Sequence, residues 1–334
     1  MKDMASGFPD DETVWAALAL AVRAPSIHNS QPWLWRIGEH TVHLYADPGR
    51  HLPHTDPARR EMMLSCGAAL QHFTVALAAL GWQSHVHRQP NPAEPDHLAS
   101  VEIYGQAGSE QDIALAAAIP RRRTDRRWYS AWPVPRGDIA LMASRAARSG
   151  VVLRQVDPPR TLTPVMARAA EQHSADADYL AELSMWSGHY GAVAGVPARN
   201  TPSPSGNTDL PGRAFANPAL SQPAGAKPRD DAGVILALGT ATDDAVARLR
   251  AGEATGVVLL TATALGLSSC PLTEPLEIDD TRDMVRSMVF DGDGFPQMLM
   301  RIGWAPLNAD PLPATPRRPM SEVVQRLDGA PITV

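Results

Sequence analysis

Apolar and polar positions along the chain sort into helical and extended segments. Residues 11–24 (DETVWAALALAVRA) combine good helix formers with an acidic first turn, and Pro25 stops them. The following PSIHNSQP is a loop. Trp33–Ile37 and residues 41–45 alternate well enough to be two strands around a turn at Gly38-Glu39. DPGRHLPHTDPARR is a connection, with Asp56 before Pro57 as the N-cap candidate of the next helix. From 58 to 81 the chain is apolar nearly all round (MMLSCGAALQHFTVALAAL), the pattern of a buried helix. Residues 101–104 read as a short strand.

The second half repeats parts of this order. Residues 113–119 are helical and lead into RRRTDRRWYS, 151–156 form a strand, and 163–186 a helix. Over 187–232 periodicity disappears and Gly, Pro, Ser and Asn dominate. A loop that long in a compact chain is either functional or disordered. Residues 234–238 are strand-like, helix returns at 243–249 and 252–267, and 298–304 read as a strand. Gly67, Ala69, Ala79, Leu80, Gly81 and Ser84 recur as Gly252, Ala254, Ala264, Leu265, Gly266 and Ser269, always 185 residues later. Two buried helices with the same small-residue face, each running into ALGxxS, point to a duplicated unit whose copies pack through those helices.

Composition narrows the setting. With 334 residues the chain has material for roughly two domains and can bury a large core. A net charge of −6 argues against a surface built for nucleic acid or anionic membrane. The two cysteines, Cys66 and Cys270, are too few for a disulfide framework and fit a reducing compartment. The apolar stretches at 16–22 and 257–267 fall short of the roughly 20 residues of a bilayer span, and MKDMASGFPDDE lacks a signal-peptide run. The expectation is a cytoplasmic protein with no nucleic-acid or membrane partner.

Few of the familiar motifs occur. There is no GxGxxG after a strand, no GxxxxGK[ST], no HExxH and no CxxC. His51 and His54 lie in a Pro-rich loop without partners at ligand spacing, so no metal site is expected. Cys66 reads as a small core residue, and Cys270, after GLSS, as packing before reactive thiol. DGDG at 291–294 is a turn signal. The sharpest electrostatic feature is RRRTDRR at 121–127, with five arginines in seven positions. Guanidinium forks suit phosphate oxygens, so the run calls for an anionic partner; a solvated basic patch and nucleic-acid contact are the other readings.

Four segments together resemble the nitroreductase family of FMN enzymes. Ala24-Pro25-Ser26-Ile27-His28-Asn29-Ser30-Gln31-Pro32-Trp33 is similar to that family's APSxxNxQPW. Arg122-Arg123-Thr124-Asp125-Arg126 is similar to RxSxR, with Thr124 for serine. Residues 264–271 (ALGLSSCP) resemble ALGLGS, and residues 317–324 (RRPMSEVV) resemble the C-terminal KxRxPLEEVV. RxSxR normally precedes APSxxNxQPW; here it follows, which suits tandem halves imitating a homodimer. This arrangement most resembles the Acg-type nitroreductase-like flavoproteins, and the likeness covers roughly residues 11–325.

The resemblance implies an α+β nitroreductase-like fold of two tandem halves, 1–110 and 111–334, packed as a pseudo-dimer, with a lid-like insert at 187–232. It implies one FMN in the seam and a monomeric chain. Arg122, Arg123, Thr124, Arg126 and Arg317 would hold phosphate and ribityl; Pro25, Ser26, Ile27 and Asn29 would line the ring. The backbone of Pro271, Leu272, Thr273 and Glu274 would donate to flavin N5. Thr315 stands where the family has the lysine of KxR, so a phosphate charge must come from Arg121, Arg123 or Arg318, and no glycine is evident in PLTEP. The implied activity is ping-pong oxidoreduction, from NAD(P)H or another donor through FMN to a small nitroaromatic or quinone-like acceptor. The flavin carries the chemistry, so no catalytic side chain is named. The alternative is a flavin-sequestering or redox-sensing protein whose insert blocks NAD(P)H.

Overall fold

The chain opens with α1 (Asp11–Ala21), capped by Asp10, whose carboxylate accepts from Thr13 N at 2.8 Å. Then come β1 (Trp33–Ile37), β2 (Thr41–Ala46), α2 (Arg60–Ala79), β3 (Trp82–Arg88) and β4 (His97–Gly105). α3 (Glu110–Ala118) and α4 (Arg136–Ala147) lead to β5 (Val152–Val156), α5 (Thr163–Ala175) and α6 (Ala177–Met185). After the long connection follow β6 (Val234–Thr240), α7 (Ala245–Ala264), β7 (Ser268–Leu272), α8 (Asp279–Phe290), β8 (Phe295–Gly303), α9 (Met320–Val323) and β9 (Val324–Arg326). The structure is a computed structural model that describes residues 7–189, 192–203, 212–328 and 330.

Two sheets result. The first runs β3-β4-β2-β1-β9, antiparallel except that β9 lies parallel to β1, with Trp35 opposite Val324. The second runs β5-β6-β8-β7, antiparallel throughout. Taking β1 with β5, β2 with β6, β4 with β8 and β3 with β7 gives the same order and sense in both. The last strand of the first sheet comes from the far end of the chain, so the C-terminal segment ties the two parts together.

Between the sheets lie α2 and α7. α2 covers β1, β2 and β3, while α7 covers β6, β7 and β8, and the two helices pack on each other along their lengths. Their bounds, Arg60–Ala79 and Ala245–Ala264, keep the 185-residue separation, and each ends at a left-handed glycine, Gly81 (φ 89°) and Gly266 (φ 85°). At the crossing the backbones nearly touch. A Cβ on Gly67 would lie 2.1 Å from Leu249 O, and one on Gly252 would lie 2.2 Å from Leu64 O. Only glycine fits, and its cost as a poor helix former is offset by close packing of two apolar helices. Leu249 of α7 is buried in the core of the first sheet, and Leu64 of α2 in that of the second.

Several sequence expectations need correction. The segments 243–249 and 252–267 are one helix, because Gly252 serves the crossing and does not break it. The helix expected over 163–186 breaks at Asp176, whose carboxylate caps α6 by accepting from Asp178 N and Tyr179 N. The first helix ends at Ala21, with Pro25 further on. Asp56 is not the N-cap of α2; the left-handed Arg59 is, although Asp56 Oδ2 still accepts from Met62 N at 2.8 Å. β3, α4 and α8 were not anticipated. α2 is long and apolar enough to cross a membrane, but 83% of its most apolar window is buried in the protein, as suits a core helix.

Gly67→Ala and Gly252→Ala should each cost about 1–3 kcal/mol, seen as a lower urea midpoint with unchanged slope. Gly137→Ala, with nothing within 4 Å of its Cβ, should not destabilise. A Gly67→Ala midpoint equal to wild type would mean that the helices do not approach this closely.

Candidate functional site

The PSIHNSQP loop leaves α1 as a tight 3-10 turn, Ile27–Asn29, in which His28 (φ 45°) and Asn29 (φ 54°) are left-handed, as is Gln31 (φ 54°). Such conformations are strained for residues with a Cβ and persist only when surroundings impose them. Here Ile27 N donates to Ser65 Oγ of α2 at 3.0 Å, and Gln31 N donates to Ser26 Oγ at 3.0 Å. Asn29 Nδ2 donates to Gly195 O and Pro316 O, and Gln31 Nε2 donates to Val193 O. The loop is thereby pinned to α2, to the insert and to the C-terminal segment.

The arginine run leaves α3 and lies against the second sheet. Thr124 bridges to Ser269 in parallel sense, and Asp125 N donates to Ser269 O at 2.8 Å. Arg127 turns away and closes a buried ion pair with Asp125 at 2.9 Å. The loop and the run thus face one another across the seam between the sheets.

Two adjoining cavities occupy this seam, one of about 420 Å³ and one of about 70 Å³, sharing Pro25, Ser26, His28, Thr124 and Arg126. Every site residue expected from sequence lines one or both. Pro25, Ser26, Ile27, Thr124, Arg126, Pro271, Leu272, Thr273 and Glu274 line the larger. Asn29, Arg122, Arg123 and Arg317 line the smaller, together with the residues the two share.

The smaller cavity is a cationic pit. Arg23, Arg122, Arg123, Arg126 and Arg317 line it, and no carboxylate does among its described residues. Arg122 is 6% exposed, and its Nε and Nη1 have no partner among the described residues; nor has Arg23 Nε. Burial first, then Arg123 and Arg23, pull the Arg122 guanidinium down to about 10. Arg317 is pulled to about 9 by burial and then by Arg122, Arg23 and Arg123. Unpaired buried cations cost several kcal/mol, so this arrangement asks for an anion with several acceptors.

Two expected residues behave differently from their assignment. Arg317 spends its donors on the chain: Nε on Val22 O, Nη2 on Arg23 O and Ala24 O, and Nη1 on Asn29 Oδ1, Thr315 Oγ1 and Pro316 O. It holds the carbonyls of the three residues that follow α1 and lends the pit charge without a free fork. Asn29 lies at the pit instead of the larger cavity, its amide committed to Arg317, Gly195 and Pro316. Of the arginines named to replace the missing lysine, Arg123 lines the pit, whereas Arg318 pairs with Asp47 at 3.2 Å and Arg121 is exposed. Arg23 supplies further charge.

The larger cavity has apolar walls, including Leu64, Ala68, Met166, Phe215 and Met298, and a set of buried polar groups. Arg213 of the insert reaches in, 8% exposed. It makes a short contact with Glu277, and donates to Thr273 Oγ1 at 3.2 Å and His28 Nε2 at 2.6 Å. Burial, then Arg213 and Arg126, hold His28 neutral, so its proton sits on Nδ1, which has no partner among the described residues. Phe215 meets the His28 ring edge-on and lies under Arg126, 4.7 Å from its guanidinium carbon. Glu61, at the start of α2, is 2% exposed; Arg60 Nη2 donates to its Oε1 at 2.7 Å.

Sequence reading did not single out Arg23, His28, Glu61, Ser65 or Arg213. His28 was visible as a variable position inside the loop motif. Arg213 lay in a segment without periodicity, and nothing local marked it.

No family model matches the chain. The fold is shared with a solved structure from Anabaena variabilis described as a "putative nitroreductase", at TM-score 0.51 and 9% identity, covering 92% of this chain and 93% of that one. The architecture is therefore the α+β nitroreductase-like fold. "Putative NAD(P)H nitroreductase Rv3131" of Mycobacterium tuberculosis strain H37Rv is 59% identical over 322 residues, covering 96% of this chain and 94% of the relative. "Putative NAD(P)H nitroreductase acg" of the same strain is 36% identical over 320 residues, covering 93% and 95%. The chain belongs to the nitroreductase family that these proteins represent.

In ligand-free protein, Arg122→Met should raise stability by about 1 kcal/mol or more, because it removes an uncompensated buried charge without leaving a cavity. Inorganic phosphate should stabilise wild type clearly more than this variant. A destabilised Arg122→Met protein, equally responsive to phosphate, would show that Arg122 has a structural partner.

Proposed function

We propose that this chain is a monomeric FMN oxidoreductase of nitroreductase type, whose tandem halves form one cofactor seam, and that it passes electrons from NAD(P)H or another donor to a small acceptor. The observation that carries this reading is a pit of five arginines, with buried Arg122 left partly unpaired, opening into a larger, partly apolar cavity. That pairing of surfaces fits a phosphate joined to a flat ring. Arg122, Arg123 and Arg126, with Arg23 and the field of Arg317, would hold phosphate, and Thr124 the ribityl end. Pro25, Ser26 and Ile27 face Pro271, Leu272, Thr273 and Glu274 across the space for the ring. When bound, FMN supplies hydride and electron transfer, and the protein supplies orientation, charge and access.

A second reading is favoured by the insert. Arg213 and Phe215 reach into the larger cavity, with Arg213 paired to Glu277. A lid held by that ion pair would exclude water and bulky donors and slow reduction by NAD(P)H, so that the protein stores or senses flavin more than it turns over.

The protein should purify yellow with about one FMN per chain, as a monomer by light scattering. Arg122→Ala and Arg126→Ala should each weaken FMN at least about tenfold, given about 1.5–3 kcal/mol for a charge-assisted hydrogen bond, and the double variant should be colourless. FMN content that survives both changes, or two FMN per chain, would contradict the reading.

Replacing residues 191–228 by a short Gly/Ser linker separates the two functional readings. Under the lid reading FMN stays bound, and anaerobic bleaching by NADPH speeds at least about tenfold, or about 1.4 kcal/mol off the barrier. Unchanged bleaching with FMN still bound would remove the lid.

A further inference from the structure

We propose that Glu61 is the proton donor of the larger cavity, delivering a proton to the acceptor oxygen during reduction of a quinone-like or nitro compound. This rests on the oxidoreductase reading above. Reducing such an acceptor places negative charge on oxygen inside a cavity of low polarity, where unneutralised charge is costly. A wall group that can release a proton there is needed, and the lining offers few.

The other lining groups are unsuited. His28 is neutral, and its remaining proton, on Nδ1, is that of a hydrogen-bond donor and not of an acid. Burial raises the Cys270 thiol. Glu274, although burial pulls the other way, is kept ionised by His173 and Arg213. Asp231 is committed to Arg301 at 2.9 Å and to the backbone of Tyr129 and Gly233. Arginines do not release protons at neutral pH.

Glu61 differs in geometry. It lines the cavity, is 2% exposed, and its Oε2 has no partner among the described residues, while Oε1 is held by Arg60. Its backbone carbonyl accepts from Ser65 Oγ at 2.7 Å, and the same hydroxyl accepts from Ile27 N, so the acid is fixed relative to the PSIHN loop. The charged groups facing it are Arg60 on its own helix, Asp56 in the preceding loop, Glu277 before α8 and Arg213 from the insert. Arg282 of α8 faces Arg60 in turn. Burial and then Glu277 outweigh the arginines and push the Glu61 carboxyl up to about 8, so it carries its proton at neutral pH.

The step balances for a quinone. When bound, FMN would supply two electrons and one proton as a hydride equivalent. The Oε2–H bond breaks, its electron pair stays on the carboxylate, and the proton goes to the acceptor oxygen to complete the hydroquinone. Arg60 stabilises the carboxylate until water returns a proton.

The test uses the FMN-loaded protein, photoreduced without oxygen and mixed with benzoquinone in a single turnover, alongside infrared spectra between about pH 6 and about pH 10. Wild type should reoxidise at a rate constant with pH below about 8 and falling above it. Glu61→Gln should keep its FMN spectrum, react at least tenfold more slowly at neutral pH, and show no bend. The infrared band of a protonated carboxyl should fade in wild type as pH rises and be missing in Glu61→Gln. Glu277→Gln, which removes a like charge, should move the bend to lower pH, and it serves if Glu61→Gln does not fold. Equal rates and equal pH profiles in wild type and Glu61→Gln, or no reoxidation of wild type by quinone, overturn the proposal. Loss of the oxidoreductase reading alone looks different: no flavin is bound, while the infrared band still responds to Glu61→Gln.

Discussion

The contact on which the rest of the molecule depends is the crossing of α2 and α7 at Gly67 and Gly252. A methyl group on either glycine would sit within about 2.2 Å of a carbonyl oxygen of the other helix, so the two backbones are in direct contact there. That closeness puts one sheet on each side and carries residues of both helices to the seam. Glu61, Ser65 and Ala68 of α2 line the larger cavity beside Thr255 of α7. Two further ties close the arrangement: Thr124 and Asp125 against Ser269, and β9 against β1. The second brings Arg317 back to the end of α1. The seam is thus made by packing of the core, and its walls come from parts of the chain far apart in sequence.

The two ends of the seam differ in their electrostatics. At the pit, five arginines gather with no carboxylate among the described lining residues, an arrangement that favours an anion. At the other end, cations are matched within the protein: Arg213 with Glu277 and Arg301 with Asp231. A ligand entering that end meets neutral His28, the buried Glu61 carboxyl and apolar walls. One end therefore holds by charge, while the other can admit uncharged molecules.

How much of this could be read from sequence depended on whether the signal was local. Trp33–Ile37 alternates cleanly and packs one face on α2, and it was found to the residue. β3 (WQSHVHR) is an edge strand without a fully buried position, and only Trp82 and Val86 give it an apolar face, too weak a pattern to read against its polar residues. α8 carries a legible stripe, Val285, Val289 and Phe290, that packs on the second sheet. Gly252 misled because its helix-breaking tendency is a local property, whereas its use is in tertiary contact. The same holds at the site. Contiguous motifs such as Pro25 to Ile27 and Arg122 to Arg126 could be read directly, but Arg23, Glu61 and Arg213 became functional candidates only once folding had brought them together.

The most direct test of the central claim, that buried arginines at this seam exist for a phosphate, is a calorimetric comparison of FMN with riboflavin on the ligand-free chain. The two ligands share the ring and differ by the phosphate. FMN should bind at least about a hundredfold more tightly, about 2.7 kcal/mol, and the difference should shrink at least about tenfold in Arg122→Ala. Equal affinity for riboflavin and FMN in wild type would contradict the account.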